Sequence, residues 1–326
     1  MSLHKTITLN DGNKIPQFGL GTWQSHPGEV NKAVEHAVKH GYRHLDLAKV
    51  YGNQNEVGEA LKSVIPSVVK REELFITSKL WNHAHKPEAV LPALEDTLQE
   101  LGLEYLDLYL MHWPVAFDSH DGNMRPEKDN VVLLDLQTSV VDTWKAMIEL
   151  KKSGKVKSIG VSNFRTDVLE GIIKATGVAP AVNQIEAHPL LPQDELVEYH
   201  KQHNIHITAY APLGSNLEGR PRLLEHPNVT SLAKERNADP GQVLLAWGTY
   251  RGYSVIPKSV TPSRIESNFH QIELTESQYK HISDLPKDFG GPVRFFVPYG
   301  NYKPLWDISV FNEPSEQAAT HQVKIE

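Results

Sequence analysis

Asp46, Tyr51, Lys79 and His112 are the residues whose types and spacing could do chemistry together. They end or follow three short apolar runs, HLDLA (44–48), FITSKL (75–80) and LDLYLMH (106–112). If those runs are adjacent strands, a carboxylate, a phenol, an ammonium and an imidazole reach one rim. A free phenol titrates near ~10 and is a poor acid at neutral pH. A neighbouring ammonium stabilises phenolate and makes the hydroxyl a better donor. A carboxylate beside the lysine keeps it charged, and an imidazole can orient an oxygen against the phenol. The set suits protonation of an oxyanion as it forms, which is what carbonyl reduction requires. The hydride must come from a cofactor, because no side chain supplies one. Singly, Asp46 and Lys79 read as a structural ion pair; four groups at matching depth favour a site.

The elements that must position these groups are legible as alternating short apolar runs and longer amphipathic stretches. A small N-terminal hairpin, 6–9 and 14–16, turns at Asn10-Asp11-Gly12. Eight strands are expected at 17–21, 44–48, 75–80, 106–112, 156–162, 181–186, 206–212 and 254–259. Helical spacing follows each: Val30, Ala33, Val34, Ala37 and Val38 lie on one face, and so are expected to do Leu91, Leu94, Leu98 and Leu101. Eight β–α pairs in roughly 260 residues predict an α/β protein, a closed (β/α)8 TIM barrel, with its chemistry at the C-terminal strand ends. The chain 1–326 is expected to form a single domain, with the barrel over about 17–285 and a tail over 286–326. Stretches 114–138 and 213–225 exceed ordinary loop length and are expected to be functional lids or mobile. The tail, rich in Gly, Pro and aromatics, is expected to be ordered but not helical, and the polar last dozen residues loose.

Composition narrows the partners. The chain has 326 residues, 40% of them hydrophobic, a net charge of −7 and no cysteine. Disordered and fibrous classes are excluded, as are disulfide frameworks and thiolate chemistry. The acidic balance argues against nucleic acid or an anionic membrane as partner. No apolar run approaches the ~20 residues that cross a bilayer, and the start is polar, so a cytoplasmic protein is expected. No metal is expected: His83 and His85 flank a single alanine, and His200, His203 and His206 cluster, but HExxH is absent. Tyr299 and Lys303 share the YxxxK spacing of another reductase family, yet no helix precedes them, so that match is set down to chance.

Seven motifs, in order, carry a resemblance: GYRHLDLAKVYGNQNEVGEAL (41–61), FITSKLW (75–81), LYLMHWP (108–114), GVSNF (160–164), VNQIE (182–186), AYAPLGS (209–215) and IPKSVTPSRIESNF (256–269). The chain resembles the aldo-keto reductases, whose barrel binds NADPH without a Rossmann domain; no GxGxxG follows a strand here. The resemblance implies Tyr51 as general acid with Asp46, Lys79 and His112 around it. It implies Ser162, Asn163 and Gln184 at the nicotinamide carboxamide and Tyr210 stacked on that ring. Gly21, Thr22 and Trp23 are implied near the cofactor, with Leu213, Gly214 and Ser215 along the pyrophosphate. Lys258, Ser259, Thr261 and Arg264 are implied at the adenosine 2′-phosphate and Asn268 near the adenine. Charge agrees, since two cations near a helix start favour a phosphate and hence NADP over NAD.

There are departures. Ser267 stands where many relatives carry Glu. A Lys–Asp latch over the pyrophosphate is replaced by Gln24 and Leu217, which implies a weaker latch unless Glu218 or Arg220 finds another partner. Trp23, Val50, Trp81, His112 and Trp113 are expected to line the substrate pocket. The tail, PYGNYKPLWDISVFNEP, resembles that of fungal members acting on glyceraldehyde, glycerol and short sugars. It implies reduction of glyceraldehyde, pentoses or uronates and oxidation of polyols in reverse; the chain is expected to be a monomer. The rival readings are a non-enzymatic NADPH-binding barrel subunit and an aldolase-type barrel using Lys79 as a Schiff base; an ammonium held protonated by Asp46 is a poor nucleophile.

Overall fold

The computed structural model describes residues 5–215, 219 and 222–326. Two short strands come first, β1 (Thr6–Thr8) and β2 (Lys14–Pro16), paired antiparallel. Then follow β3 (Leu20–Gly21), β4 (His44–Asp46), β5 (Phe75–Leu80), β6 (Leu106–Met111), an outlying hairpin of β7 (Glu127–Lys128) and β8 (Val131–Val132), β9 (Val156–Ser162), β10 (Val182–Glu186), β11 (His206–Tyr210) and β12 (Ser254–Val255). Eight of these form one parallel sheet in the order β12-β11-β10-β9-β6-β5-β4-β3. Bridges from Phe18 to Val255 and from Gly21 to Lys258 join its two ends, so the sheet closes on itself. A Cβ on Gly21 would lie 2.9 Å from the Ile256 carbonyl oxygen, a separation that only glycine tolerates.

Every residue of β5 and β6 is buried, because the interior and a helical layer cover both faces. That layer comprises α1 (Val30–Lys39), α2 (Gln54–Val64), α3 (Pro87–Leu101), α4 (Val140–Lys152), α5 (Thr166–Thr176), α6 (Asp194–Gln202), α7 (Pro227–Glu235), α8 (Pro240–Tyr250), α9 (Pro262–Phe269) and α10 (Glu276–Ser283). On α1 the five expected apolar residues are the buried ones. On α3 the expected stripe is off by one residue. Val90, Leu94, Leu98 and Leu101 are buried, while Leu91 is 41% exposed. Spacings of four, four and three from Val90 follow one side of a helix, and Leu91 is turned about 100° from it.

The β1–β2 hairpin caps the N-terminal end of the barrel: Leu9 and Ile15 pack with Phe75, Leu108 and Ala181, and Asn13 Nδ2 donates to the Lys157 carbonyl. The opposite end is left for the long loops. Segment 114–138 is tied to the tail, with Val132 N–H donating to Leu305 O and Leu305 N–H to Asn130 O, both at 2.9 Å. The last dozen residues are packed, contrary to expectation. A strand pair forms between β13 (Ile308–Ser309) and β14 (His321–Gln322), and the Val140 and Val141 amides donate to Lys324 O and Ile325 O. Glu316, 1% exposed, accepts from the Val310 and Phe311 amides. Local polarity conceals this: Glu316 serves amides close in sequence, while Lys324 Nζ donates to the distant Leu136 and Gln137 carbonyls.

Burial drives four imidazoles down, His44 and His200 to about 4 and His85 and His206 to about 3. In the unfolded chain they take up protons near ~6.5, so below that pH the unfolded state binds more protons than the folded one. Each ring then removes up to about 1.4 kcal/mol per pH unit until its folded value is reached. The denaturant midpoint should fall steadily from pH 6.5 towards 4; an unchanged midpoint at pH 7 and pH 5 would contradict the burial of these rings.

Candidate functional site

Asp46 closes β4 and Lys79 is the fifth residue of β5, paired in register with Leu110 of β6. His112 follows β6, its amide continuing the ladder to Leu80 O at 3.1 Å. Tyr51 sits in the turn 49–51 after β4, which ends at Gly52 with φ 67°, a left-handed position suited to glycine. The structure thus brings the four groups together. Lys79 Nζ, fully buried, donates to Asp46 Oδ2 at 2.7 Å, Leu47 O at 2.8 Å and Tyr51 Oη at 3.2 Å. An ammonium has three hydrogens and all three are used. Because Lys79 donates to the phenol oxygen, the phenol's own hydrogen is directed elsewhere. The other Asp46 oxygen accepts from Gln184 Nε2 at 2.7 Å. The His112 ring stands edge-on to Tyr51, centroids 5.9 Å apart.

The electrostatics correct one expectation. The Tyr51 phenol is not acidified in this state; burial raises it well above its ordinary value, and the Asp46 charge raises it further. Burial lowers Lys79, against which the Asp46 charge and hydrogen bond work. His112 is held well below its usual range by burial, then by the Lys79 and His85 charges. At neutral pH the rim therefore presents a protonated phenol and a neutral imidazole.

A polar row continues along the same strand ends. Ser162 Oγ donates to Gln184 O at 2.8 Å, Asn163 Nδ2 to His112 O at 3.0 Å, and Tyr210 Oη to Asn163 Oδ1 at 2.7 Å. Asn163 holds φ 66°, a left-handed conformation that Asn tolerates. Thr22 Oγ1 donates to Asp46 O at 2.9 Å, tying the first βα loop to the second strand. The remaining expected residues lie further out. Lys258 Nζ donates to Gln24 O at 2.8 Å. Ser259 Oγ accepts from the Thr261 amide, at the start of α9, at 3.1 Å. Arg264 is exposed on α9 and makes no ion pair among the described residues. Asn268 is buried; Ser267 is bonded to Asp239. Leu213 is partly buried and Ser215 buried. Leu217, Glu218 and Arg220 lie outside the described residues.

The aromatic wall is shared between loops and tail. Trp23, 40% exposed, lies 5.5 Å from Phe296 and 6.5 Å from Tyr51 by ring centroids. Val50 is half-buried beside Tyr51. Trp81 packs against His112 and Trp306, and Trp113 against Tyr302, Trp306 and Phe311. Trp81 Nε1 donates to Met124 O, anchoring the long loop. Sequence reasoning missed Glu186. This fully buried carboxylate ends β10 and accepts from the Phe295 amide at 2.7 Å, the Phe296 amide at 3.0 Å and His188 Nε2 at 2.9 Å. It holds the tail so that Phe296 meets Tyr210 and Trp23. The available signal was a lone acid closing the apolar run VNQIE. Glu186→Gln replaces a carboxylate oxygen by a donor facing amide donors, and should cost roughly 1–3 kcal/mol. It should also admit protease to the 286–326 tail; a tail as resistant as wild type would refute the clamp.

Known proteins resemble this chain over most of its length. The model of the Aldo/keto reductase family matches residues 16–286. The chain is 52% identical to D/L-glyceraldehyde reductase of Hypocrea jecorina, over 100% of this chain and 99% of that protein. It is 44% identical to aldo-keto reductase family 1 member A1 of Homo sapiens, over 90% of this chain and 91% of the other. The solved structure of the aldose reductase from Schistosoma japonicum superposes with a TM-score of 0.84 at 43% identity, covering 90% of this chain and 94% of that one. A matching family model over most of the chain, full-length relatives and a barrel with its polar cluster at the C-terminal strand ends agree: the chain belongs to the aldo/keto reductase family of oxidoreductases.

Proposed function

We propose that this chain is an NADPH-dependent reductase of small aldehydes and aldoses, glyceraldehyde and pentoses foremost and uronates among the candidates, and that it oxidises the corresponding polyols in reverse. The observation that carries the reading is the contact of Lys79 Nζ with both Tyr51 Oη, at 3.2 Å, and Asp46 Oδ2, at 2.7 Å. The substrate class draws support from the printed activity of the Hypocrea jecorina relative.

The residues present fit a nicotinamide dinucleotide phosphate. The row of Ser162, Asn163 and Gln184 offers hydroxyl and amide groups at the depth of Tyr51, which suits a carboxamide, and the partly exposed Tyr210 ring offers a flat face. Arg264, exposed and without an ion-pair partner among the described residues, suits a phosphate, with Lys258, Ser259 and Thr261 on the segment that leads into α9. When bound, the cofactor supplies hydride to a carbonyl carbon. The chain does the rest. Tyr51 gives its proton to the carbonyl oxygen, the direction left open by Lys79 donating to the phenol from behind. His112, neutral, orients that oxygen. Lys79, held by Asp46, then stabilises the phenolate until solvent reprotonates it. The aromatic wall of Trp23, Trp81 and Trp113 keeps bulk water from the reacting carbon.

Tyr51→Phe should leave NADPH binding, followed by cofactor fluorescence, within about twofold while removing nearly all turnover of glyceraldehyde; substantial retained activity would overturn the mechanism. Arg264→Ala should weaken NADPH far more than NADH, by at least about tenfold for one charge-assisted contact, and equal losses for both would refute the phosphate assignment. With His112 neutral and Tyr51 protonated, kcat for reduction should be level from about pH 6 to 8; an inflection near the ordinary histidine value of ~6.5 that His112→Gln abolishes would show that His112 titrates.

A further inference from the structure

On the outer helical layer, His36 of α1 and His40, the residue that caps its C-terminus one turn on, face Glu266 of α9. His36 Nε2 lies 2.9 Å and His40 Nε2 3.4 Å from the same carboxylate oxygen, Glu266 Oε1. The two rings are 4.0 Å apart by centroids. We propose that these three side chains form a binding site for a divalent late-transition ion, with zinc as its principal occupant.

His40 Nδ1 lies 2.8 Å from His36 O, and a carbonyl can only accept, so Nδ1 carries the hydrogen. In the neutral ring Nε2 is then a bare lone pair aimed at a carboxylate oxygen. Two acceptors so placed are what a metal ion would bridge, with a proton on Nε2 as the competing occupant. The same bond fixes the tautomer and orientation of the ring, as backbone carbonyls do behind metal-bound histidines. Two imidazole nitrogens and one carboxylate oxygen make a donor set that zinc accepts with a fourth position open to water; magnesium and calcium prefer oxygen alone. Tetrahedral bonds of ~2.0–2.1 Å place ligand atoms about 3.4 Å apart. The three ligand atoms here lie within 4.8 Å of one another, so rotamer adjustments on an exposed surface close the geometry. The ion would bridge the helices that follow the first and last barrel strands, reinforcing the seam where the barrel closes. The histidines prominent in sequence spacing, His83 with His85 and the group from 200 to 206, lie elsewhere. This trio exists only because α1 packs on α9, with Glu266 230 positions from His36.

The test is zinc titration of the full chain at pH 7.5, competing against a chromophoric chelator. One equivalent should bind, and His40→Ala and Glu266→Gln should each weaken that equivalent at least tenfold. Zinc should also raise the thermal midpoint of the wild type and leave that of Glu266→Gln unchanged. Because the chain has 17 histidines, uptake alone is not support. Uptake equal in wild type and both variants would overturn the proposal. So would absence of stoichiometric uptake, which would mean that a proton alone satisfies the pair.

Discussion

A buried ammonium is the constraint around which this rim is arranged. Lys79 has no solvent to donate to, and a cation so enclosed is tolerable only if each of its hydrogens meets an oxygen. Those oxygens come from the end of β4, from the backbone just beyond it and from the turn that carries Tyr51. The carboxylate could not be spared either, because losing one member of a buried pair strands the other at a cost of about 3–5 kcal/mol. Asp46 is fastened from the far side by Gln184 of β10, and its own carbonyl accepts from Thr22. The pair therefore fixes the depth of Tyr51 relative to three different strands. A surface ion pair, screened and flexible, could not do this.

Two further buried carboxylates do for the tail what Asp46 does for the rim. Glu186 and Glu316 each accept from consecutive backbone amides, at 295–296 and at 310–311. Irregular chain carries amides with no ladder to join, and burying them without an acceptor is costly. A charged acceptor makes the strongest such bonds. The tail can thus be rigid with little regular secondary structure, and Trp306 can pack between Trp81, Trp113 and Phe117. The long loop shares this rigidity through its two bonds with Leu305.

What was legible in the sequence was whatever a strand or helix imposes on its own residues. Strands covered on both faces read as short runs rich in apolar residues with one charge each, so β5, β6 and β9 are visible with little error, and Asp46, Lys79 and His112 follow as polar residues at strand ends. The first and last barrel strands were read as five and six residues long, but their ladders cover only Leu20–Gly21 and Ser254–Val255. Closure there is made by isolated bridges, which leave no periodic mark. Leu91 misled because residue type outweighed position on the helix. The ordered final segment, the Glu186 clamp and the His36–His40–Glu266 trio were illegible for a shared reason. Each depends on residues distant in the chain, and the one local sign among them is the lone acid that closes VNQIE.

The raised phenol at Tyr51 bears on how such a site can act as an acid. A resting acidity lowered towards neutrality would leave part of the enzyme as phenolate before substrate arrives, with no proton to give. Burial keeps the hydroxyl protonated, so the donor form is fully populated. In the proposed reaction the driving force for transfer arises only when negative charge appears on the carbonyl oxygen. At that moment the phenolate left behind lies 3.2 Å from an ammonium already in place, and in a poorly solvated site that attraction is far stronger than in water. In the proposed reaction Lys79 therefore acts chiefly on the product of proton transfer. That is the difference between stabilising a transition state and merely shifting an equilibrium. The same burial that appears to oppose acid catalysis keeps the proton available and sharpens the field that draws it off.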